Sequence, residues 1–174
     1  DKKHSHMNLL HTRGKRVVAE AVVKKEVLAR LARTTPEAMF KMRQRSMVGS
    51  VLAHSAYNGP HAANGIASVF IATGQDEANV VESHAGISFM DITEEGDLYY
   101  SVTLPSLICA THGGGTSLPT QKECLEILGC VGTGKAKKLA EIIGATVLAG
   151  DLSLVSAILS DEWVSSHDDL GRNR

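Results

Sequence analysis

Two short segments place charged groups where carbonyl chemistry could occur. Asp1, Lys2 and Lys3 set two ammonium groups beside a carboxylate. A lysine near a carbonyl can stabilise a developing oxyanion or donate a proton, and the alternative is a solvated charge run at a chain end. Gly74-Gln75-Asp76 places another acid just beyond a predicted helix, where the helix dipole disfavours negative charge. Asp76 is therefore either an acid paired with a lysine or an ordinary turn residue.

Two polar residues share a face of an otherwise apolar helical segment. His61 and Asn64 stand three positions apart and therefore lie on one helix face. The Asn64 amide needs hydrogen-bond partners, which a neighbouring backbone group or a ligand carboxylate would supply. His167 follows Trp163 in a polar segment, where an imidazole titrates near neutral pH; a histidine without a role is the alternative.

Two glycine-rich segments could bring the backbone close to a ligand. Residues 111–116 read THGGGT, and consecutive glycines let a flat or phosphorylated ligand approach, although the GxGxxG spacing is missing. Residues 129–136 read GCVGTGKA and match GxxxxGK. A phosphate-binding loop needs Ser or Thr after the lysine and a strand before the first glycine. Here Ala136 follows and a helix precedes, so we interpret this match as unrelated to nucleotide hydrolysis.

The elements that must position these groups have strand and helix patterns in alternation. Val-rich and alternating patterns predict strands at 15–23, 87–92 and 98–104. Helical patterns predict helices at 24–33, from Thr35-Pro36-Glu37 to about residue 45, at 61–73, at 119–128, and at 135–160 with a break near Gly150. The 61–73 helix is small and apolar nearly all round, which indicates a buried helix. Residues 1–14 are predicted to be a loop or an arm and 165–174 a polar tail, so the fold class is α+β.

The composition is that of a globular domain. The chain has 174 residues, 43% hydrophobic and 21% charged, and no uninterrupted apolar run approaches the roughly 18–20 residues that cross a bilayer. Three cysteines without a CxxC motif favour a reducing cytoplasm. His4 and His6 could offer two imidazoles, but no third ligand has fitting spacing, so no metal site is predicted. The first residue is Asp, which suggests a partial chain.

Charge is divided unevenly along the chain. Residues 1–45 carry twelve Lys and Arg against four Asp and Glu, whereas residues 46–174 carry six against fifteen. A basic arm on an acidic body suggests a polyanionic partner, either nucleic acid or a phosphorylated small molecule; alternatively, the opposite charges meet within the fold. Phe40 is the one Phe, Tyr or Trp in the basic part, so a single aromatic ring is available there to stack on nucleic-acid bases. We therefore expect no nucleic-acid partner.

Six segments taken in order resemble the 3-hydroxy-3-methylglutaryl-CoA (HMG-CoA) reductase family. They are DKK at 1–3, HAAN at 61–64, ATGQD at 72–76, THGGGT at 111–116, LAGDLSL at 148–154, and SSH at 165–167 followed by GRN. The DKK and HAAN segments resemble the class shared by archaea and eukaryotes. The resemblance implies that residues 1–174 are the C-terminal part of the large substrate- and CoA-binding domain, with helices and sheet around a buried central helix.

The resemblance also implies a reaction and its catalytic residues. The family reduces a thioester to an alcohol with two NADPH, giving mevalonate and free CoA. Lys2 would stabilise the oxygen of the reacting carbonyl, Asp76 would pair with Lys2, and His167 would protonate the departing CoA thiolate. The family's catalytic glutamate and its small NADPH-binding domain, with a DAMGMN motif, are expected upstream of Asp1.

Binding residues follow from the same resemblance. Those implied for the hydroxymethylglutaryl group are Asp1, Lys3, Asn64, Leu154 and Arg45, which stands where the family usually has Lys. Those implied for NADPH are Gly74, Gln75, His112, Gly113, Gly114 and Gly115. His112 replaces a small apolar residue that is usual in the family.

The resemblance further implies self-association and leaves two other functions open. Asn64 and Asp76 are twelve residues apart, so an unbroken helix would separate them by about 18 Å. Because both are assigned to one active site, we expect a homodimer or a dimer of dimers that builds the site from two chains. The alternatives are a non-catalytic fragment that binds CoA and a nucleic-acid-binding module.

Overall fold

The structure, a computed structural model, describes residues 5–55 and 58–171 and has the α+β architecture that the sequence predicts. Its sheet has three antiparallel strands, β1 (Lys15–Val23), β2 (Ile87–Ile92) and β3 (Leu98–Leu107), in the order β1-β3-β2. β2 and β3 form the predicted hairpin. β1 pairs with the other edge of the central strand β3, in a register that sets Ala19 opposite Val102. The predicted strands are confirmed, and β3 extends three residues further.

Eight α-helical segments surround this sheet in the described part of the chain. They are α1 (Met7–Leu10), α2 (Lys25–Val27), α3 (Pro36–Leu52), α4 (Ala62–Thr73), α5 (Val80–Ser83), α6 (Pro119–Ile127), α7 (Ala136–Leu159) and α8 (Glu162–Asp169). A π-helical turn, Leu28–Ala32, continues α2, and 3-10 turns occur at Glu77–Asn79 and Gly114–Ser117. The Thr35 hydroxyl accepts a hydrogen bond from the Ala38 amide, so the predicted cap of α3 is confirmed.

The core lies between the sheet and two helices. β3 buries alternate side chains, among them Tyr100, Val102 and Leu104, as a half-buried strand should. α7 crosses this face and also contacts α4. By length and composition α7 could span a membrane, contrary to the sequence expectation. However, eight of its residues are buried inside the protein, and they include the charged Asp151, as in a core helix.

Several sequence expectations are corrected by tertiary packing. α7 is unbroken at Gly150, whose missing side chain leaves room for the ring of His61, the residue before α4. α3 continues to Leu52, since nothing interrupts the helical pattern after residue 45. α4 is not buried all round: Ile66 and Phe70 are inside, while Asn64 and other residues of the opposite face are exposed. Regular helix also replaces the expected loop at α1 and part of the expected polar tail at α8.

Candidate active site

A cleft of about 670 Å³ lies where α4 ends. One wall is the turn that follows α4, and the other is the segment between β3 and α6. The cleft is lined by Asp76 and by all the residues predicted to bind the cofactor: Gly74, Gln75, His112, Gly113, Gly114 and Gly115. Folding therefore brings together two segments that lie almost forty residues apart in the sequence.

Two glycines permit the direct contact between these walls. Gly74 ends α4 with φ +69°, a left-handed conformation that favours glycine. A Cβ atom on Gly74 would lie 2.3 Å from the Gly115 carbonyl oxygen, and one on Gly115 would lie 2.7 Å from the Gly74 oxygen. Because both obstacles are backbone atoms, a side chain at either position would force the walls apart.

The side-chain amide of Gln75 links the two walls of the cleft by hydrogen bonds. Its Nε2 group donates to the Ala110 carbonyl at 2.9 Å, and its Oε1 accepts from the Ala110 N–H at 2.8 Å. Nε2 also contacts the Thr73 carbonyl and hydroxyl oxygens, each at 3.2 Å. The protein itself thus engages both polar atoms of this amide. Contact between Gln75 and a cofactor stays a prediction.

Asp76 lies at the entrance of the cleft and is exposed. Its Oδ1 accepts a hydrogen bond from the Ala78 N–H at 3.0 Å and so begins the 3-10 turn. The pKa of Arg13 is raised chiefly by its hydrogen bond to Glu82, and the charge of Asp76 contributes in the same direction. The charge of Asp76 thus favours the charged form of Arg13. Lys2, its predicted partner, lies outside the described residues, as do Asp1 and Lys3.

Hydrogen bonds within the glycine loop and from a neighbouring loop give it its shape. The Thr116 hydroxyl donates to the Gly113 carbonyl at 2.7 Å. The Thr111 hydroxyl donates to the Gly132 carbonyl at 2.5 Å, and the Thr111 carbonyl accepts from the Gly132 N–H at 2.9 Å. Gly132 belongs to the segment with the GxxxxGK pattern, which follows helix α6 as predicted. That segment therefore anchors Thr111, at the start of the glycine loop.

One wall of the cleft contains an acceptor without a donor among the described residues. The Asn79 Oδ1 atom is buried, and no residue of the described ranges donates to it. A buried acceptor without a donor is rare in native structures and costs free energy. This atom is therefore suited to a ligand that presents an N–H or O–H group. Neither an apolar pattern nor a motif distinguishes Asn79 in the sequence.

Two of the other predicted site residues, Asn64 and Leu154, lie in a second region, around the start of α4. Asn64 is exposed on the first turn of α4, and Leu154 is half-buried on α7. The two helices are joined there by a hydrogen bond of 2.7 Å from the His61 N–H to Asp151 Oδ1. Leu154 lies about one helical turn after Asp151, close to this contact along α7. The cleft at the far end of α4 is separate from it.

Arg45 and His167 lie on further elements. Arg45 is exposed on α3, and two positions before it Arg43 is buried and bound to the Ser88 carbonyl. His167 lies on α8, where its ring packs on Trp163 with centroids 4.4 Å apart and its Nδ1 lies 2.5 Å from the Trp163 carbonyl oxygen. Neither residue lines the glycine cleft.

Sequence reasoning missed a buried polar group beneath the second region. Asp151, Tyr100 and Arg43 are all less than a tenth exposed. The Tyr100 hydroxyl donates to Asp151 Oδ2 at 2.8 Å. A charged residue in the middle of an apolar helix was the available signal for Asp151. Within residues 5–55 and 58–171, no group of three or more His, Cys, Asp or Glu could hold a metal ion.

The fold and the cleft define an α+β domain with a cleft built from a helix end and a triple-glycine loop. The chain belongs to the hydroxymethylglutaryl-coenzyme A reductase family, whose family model matches residues 1–172. Relatives named 3-hydroxy-3-methylglutaryl-coenzyme A reductase include those of Methanocaldococcus jannaschii, 46% identical, and Aeropyrum pernix, 49% identical. Each is matched over 99% of this chain and 42% of its own length.

More distant comparisons agree with this assignment. A reductase of the same name from Hevea brasiliensis is 41% identical over 96% of this chain and 30% of its own length. The class II reductase of Streptococcus pneumoniae, solved bound to NADPH, has a TM-score of 0.65 over 83% of this chain and 42% of that chain. At 23% identity, that likeness shows the fold. This chain thus spans less than half the length of the curated relatives it matches.

Proposed function

We propose that this chain is the C-terminal part of the large catalytic domain of an enzyme that reduces HMG-CoA to mevalonate and CoA with NADPH. The observation that carries the proposal is the convergence of the Gly74–Asp76 turn and the His112–Gly115 loop on one cleft. Family membership supplies the reaction class. The acidic catalytic residue and the remaining cofactor-binding domain would come from a part of the protein that precedes Asp1.

NADPH fits the character of this cleft. Gly113 and Gly114 have positive φ angles, and a Cβ on either would meet no atom within 4 Å, so the loop leaves open space beside its backbone. The buried Asn79 Oδ1 offers an acceptor for a donor group such as a carboxamide. When bound, NADPH supplies hydride to the thioester carbon. The residues that would hold it are Gly74, Gln75, His112 and the three loop glycines.

Three residues would handle charge and protons at the reacting group. Lys2 would place its ammonium group against the reacting carbonyl oxygen, where charge develops during reduction. Asp76, exposed at the cleft entrance, would pair with Lys2 and keep it oriented. His167 would give a proton to the leaving thiolate sulfur, since an imidazolium can act as a general acid near neutral pH. Asp1, Lys3, Arg45, Asn64 and Leu154 would bind the acyl part of the substrate.

A second copy of the chain would complete the site. α4 is uninterrupted from Ala62 to Thr73, so Asn64 on its first turn lies about 14 Å along the helix axis from Thr73, and Asp76 follows the turn at Gly74. The acyl group is shorter than that. An assembly of two subunits, or a dimer of dimers, would bring Asn64 of one chain to Asp76 of the other. We further propose a cytoplasmic location, partners limited to HMG-CoA, CoA and the second subunit, and no nucleic-acid binding.

The test is NADPH oxidation by the full gene product in the presence of HMG-CoA. Lys2→Ala should lower kcat by about 10²-fold or more, as expected for losing one oxyanion stabiliser. Lys41→Ala, which removes an exposed lysine on α3 outside both regions, serves as the matched control and should leave turnover unchanged. Binding of CoA without any turnover by the wild-type protein would instead support a non-catalytic CoA-binding fold.

A further inference from the structure

A fully buried carboxylate joins three elements beneath the first turn of α4. Asp151 lies near the middle of α7 and is 0% exposed. Its Oδ1 accepts from the His61 N–H at 2.7 Å, and its Oδ2 accepts from the Tyr100 hydroxyl at 2.8 Å. Both carboxylate oxygens are therefore engaged, one by the residue that precedes α4 and one by the central strand β3.

The charges around this carboxylate form a buried polar group. Burial raises the pKa of Asp151 and lowers that of Arg43, whose charge faces both Tyr100 and Asp151. Arg43 is itself anchored by a hydrogen bond of 3.1 Å from its Nε to the Ser88 carbonyl. Burying two charges costs more than burying apolar side chains of the same volume, so such a group adds little to overall stability. The hydrogen bonds of this group instead fix the positions of the residues that they join.

Close packing completes the restraint on the start of α4. The His61 ring lies over two glycines, Gly65 on its own helix and Gly150 on α7. A Cβ on Gly150 would lie 1.9 Å from His61 Cδ2, and a Cβ on Gly65 would lie 3.1 Å from the same atom. His61 is thus held by Asp151 through its backbone and by a glycine notch through its ring. These contacts restrain the first turn of α4 against sliding or rotating on α7.

We propose that Asp151 is a positioning residue for the substrate end of α4. By fixing His61 it sets the place of Asn64, the exposed residue three positions later on the same turn. Tyr100 orients the Asp151 carboxylate by holding its second oxygen. This inference rests on the proposed function, in which Asn64 binds the acyl part of HMG-CoA. Asp151 is fully buried and acts only through α4.

The kinetic test uses Asp151→Asn in the full gene product. Asn has the same shape and keeps an oxygen for the His61 N–H, but it loses the charge and presents an amide to Tyr100. The KM for HMG-CoA should rise about tenfold while that for NADPH changes less than about twofold, because the cofactor cleft lies at the other end of α4. Thr146→Val is the matched control, since it removes a hydrogen bond within α7 without touching this group.

A double-mutant cycle distinguishes positioning from general destabilisation. If Asp151 acts through Asn64, then Asn64→Ala combined with Asp151→Asn should have the same KM for HMG-CoA as Asn64→Ala alone. Effects on KM that add would overturn the proposal. Equal rises in the KM for both substrates would also overturn it, because they indicate a disturbance of the whole fold.

Tyr100→Phe and hydrogen exchange test the restraint without relying on activity. This variant removes one donor to Asp151 and keeps the ring, so folding should be preserved. Exchange should accelerate over residues 61–65 and stay unchanged over residues 73–79. Uniform acceleration along α4, or none, would contradict the restraint. If the wild-type protein fails to reduce HMG-CoA, the proposed function fails, and so does the role of Asp151 in placing Asn64 for the substrate. The hydrogen-exchange result still decides whether Asp151 fixes the start of α4.

Discussion

Asp76 and His167 lie beyond opposite ends of α7. The N-terminal residue of that helix, Ala136, contacts Cys109 in the wall of the cleft that Asp76 also lines, at 3.6 Å from the Cys109 Sγ to the Ala136 oxygen. α8, which carries His167, begins after the C-terminal end of α7. The 24 residues of α7 extend over about 35 Å. If one site uses both residues, as proposed above, we expect Asp76 and His167 to come from two chains.

Subunit mixing should restore activity between two inactive variants. Asp76→Asn and His167→Ala each remove one side chain of the proposed shared site. In a mixed dimer, one of the two sites receives the intact Asp76 and the intact His167. After random exchange of equal amounts, activity should recover to about a quarter of the wild-type value. The measurement is NADPH oxidation before and after the two proteins are dissociated and reassembled together.

The control for subunit mixing is a pair of variants from one region of the protein. Asp76→Asn mixed with Gly115→Ala changes two residues that line the same cleft, so no mixed site is intact. Recovery of activity in this control pair would contradict a shared site. So would a lack of recovery when Asp76→Asn is mixed with His167→Ala.

The contact between Gly74 and Gly115 should be intolerant of a methyl group. Gly115→Ala places a Cβ 2.7 Å from a backbone oxygen that cannot move without displacing the end of α4. We expect loss of NADPH binding together with destabilisation of about 1–3 kcal/mol, as for other overpacked positions. Gly49→Ala is the control, because nothing lies within 4 Å of its Cβ and alanine favours helix. Thermal unfolding and the KM for NADPH check both variants.

Gln75→Ala should release the loop at Ala110. The Ala110 N–H and carbonyl lose their partners, and water replaces them because this residue is exposed. The stability change should therefore be modest, about 1 kcal/mol, while amide exchange at Ala110 accelerates. Gln75→Glu keeps the acceptor for the Ala110 N–H and should preserve its slow exchange. Similar exchange rates in both variants would show that the amide pair does not hold the loop.

Asp97 should make stability depend on acid pH. Its carboxylate accepts from Lys24 Nζ at 2.6 Å and from the Lys25 N–H at 3.0 Å, and these bonds hold the pKa of Asp97 below its ordinary value of 3.8. A lowered pKa means that the folded state binds the proton more weakly than the unfolded state. The stabilisation is therefore complete above the unfolded pKa of about 3.9 and is lost as the pH falls through the folded pKa.

Denaturant midpoints across the acid range measure this effect. The wild-type protein should exceed Asp97→Asn in stability near neutral pH, and the difference should shrink as the pH is lowered below about 4. Asp91→Asn, an exposed acid on the neighbouring strand β2, controls for the loss of one negative charge. A difference between wild type and Asp97→Asn that stays constant with pH would mean that another group dominates.

Local patterns predicted the elements of this protein well. The strand at β1, the hairpin of β2 and β3, the Thr35 cap and the helix at α6 all follow from interactions within a few residues, so the amino-acid order contains the information. The cofactor residues could also be proposed from the sequence, but only through the resemblance of six ordered motifs. Periodicity by itself left His112 to Gly115 as an unassigned glycine loop.

Tertiary structure decided what the local patterns left open. The space beside Gly150 on α7 is filled by the His61 ring, which belongs to a residue some ninety positions earlier in the sequence. The engagement of Gln75 with Ala110 and of Asp151 with Tyr100 likewise depends on partners that no local window contains. Sequence alone determined which side chains and turns are available. Packing determined that Gly74 and Gly115 touch while Asp76 and His167 lie apart, because distances between elements are set only when their buried surfaces fit together.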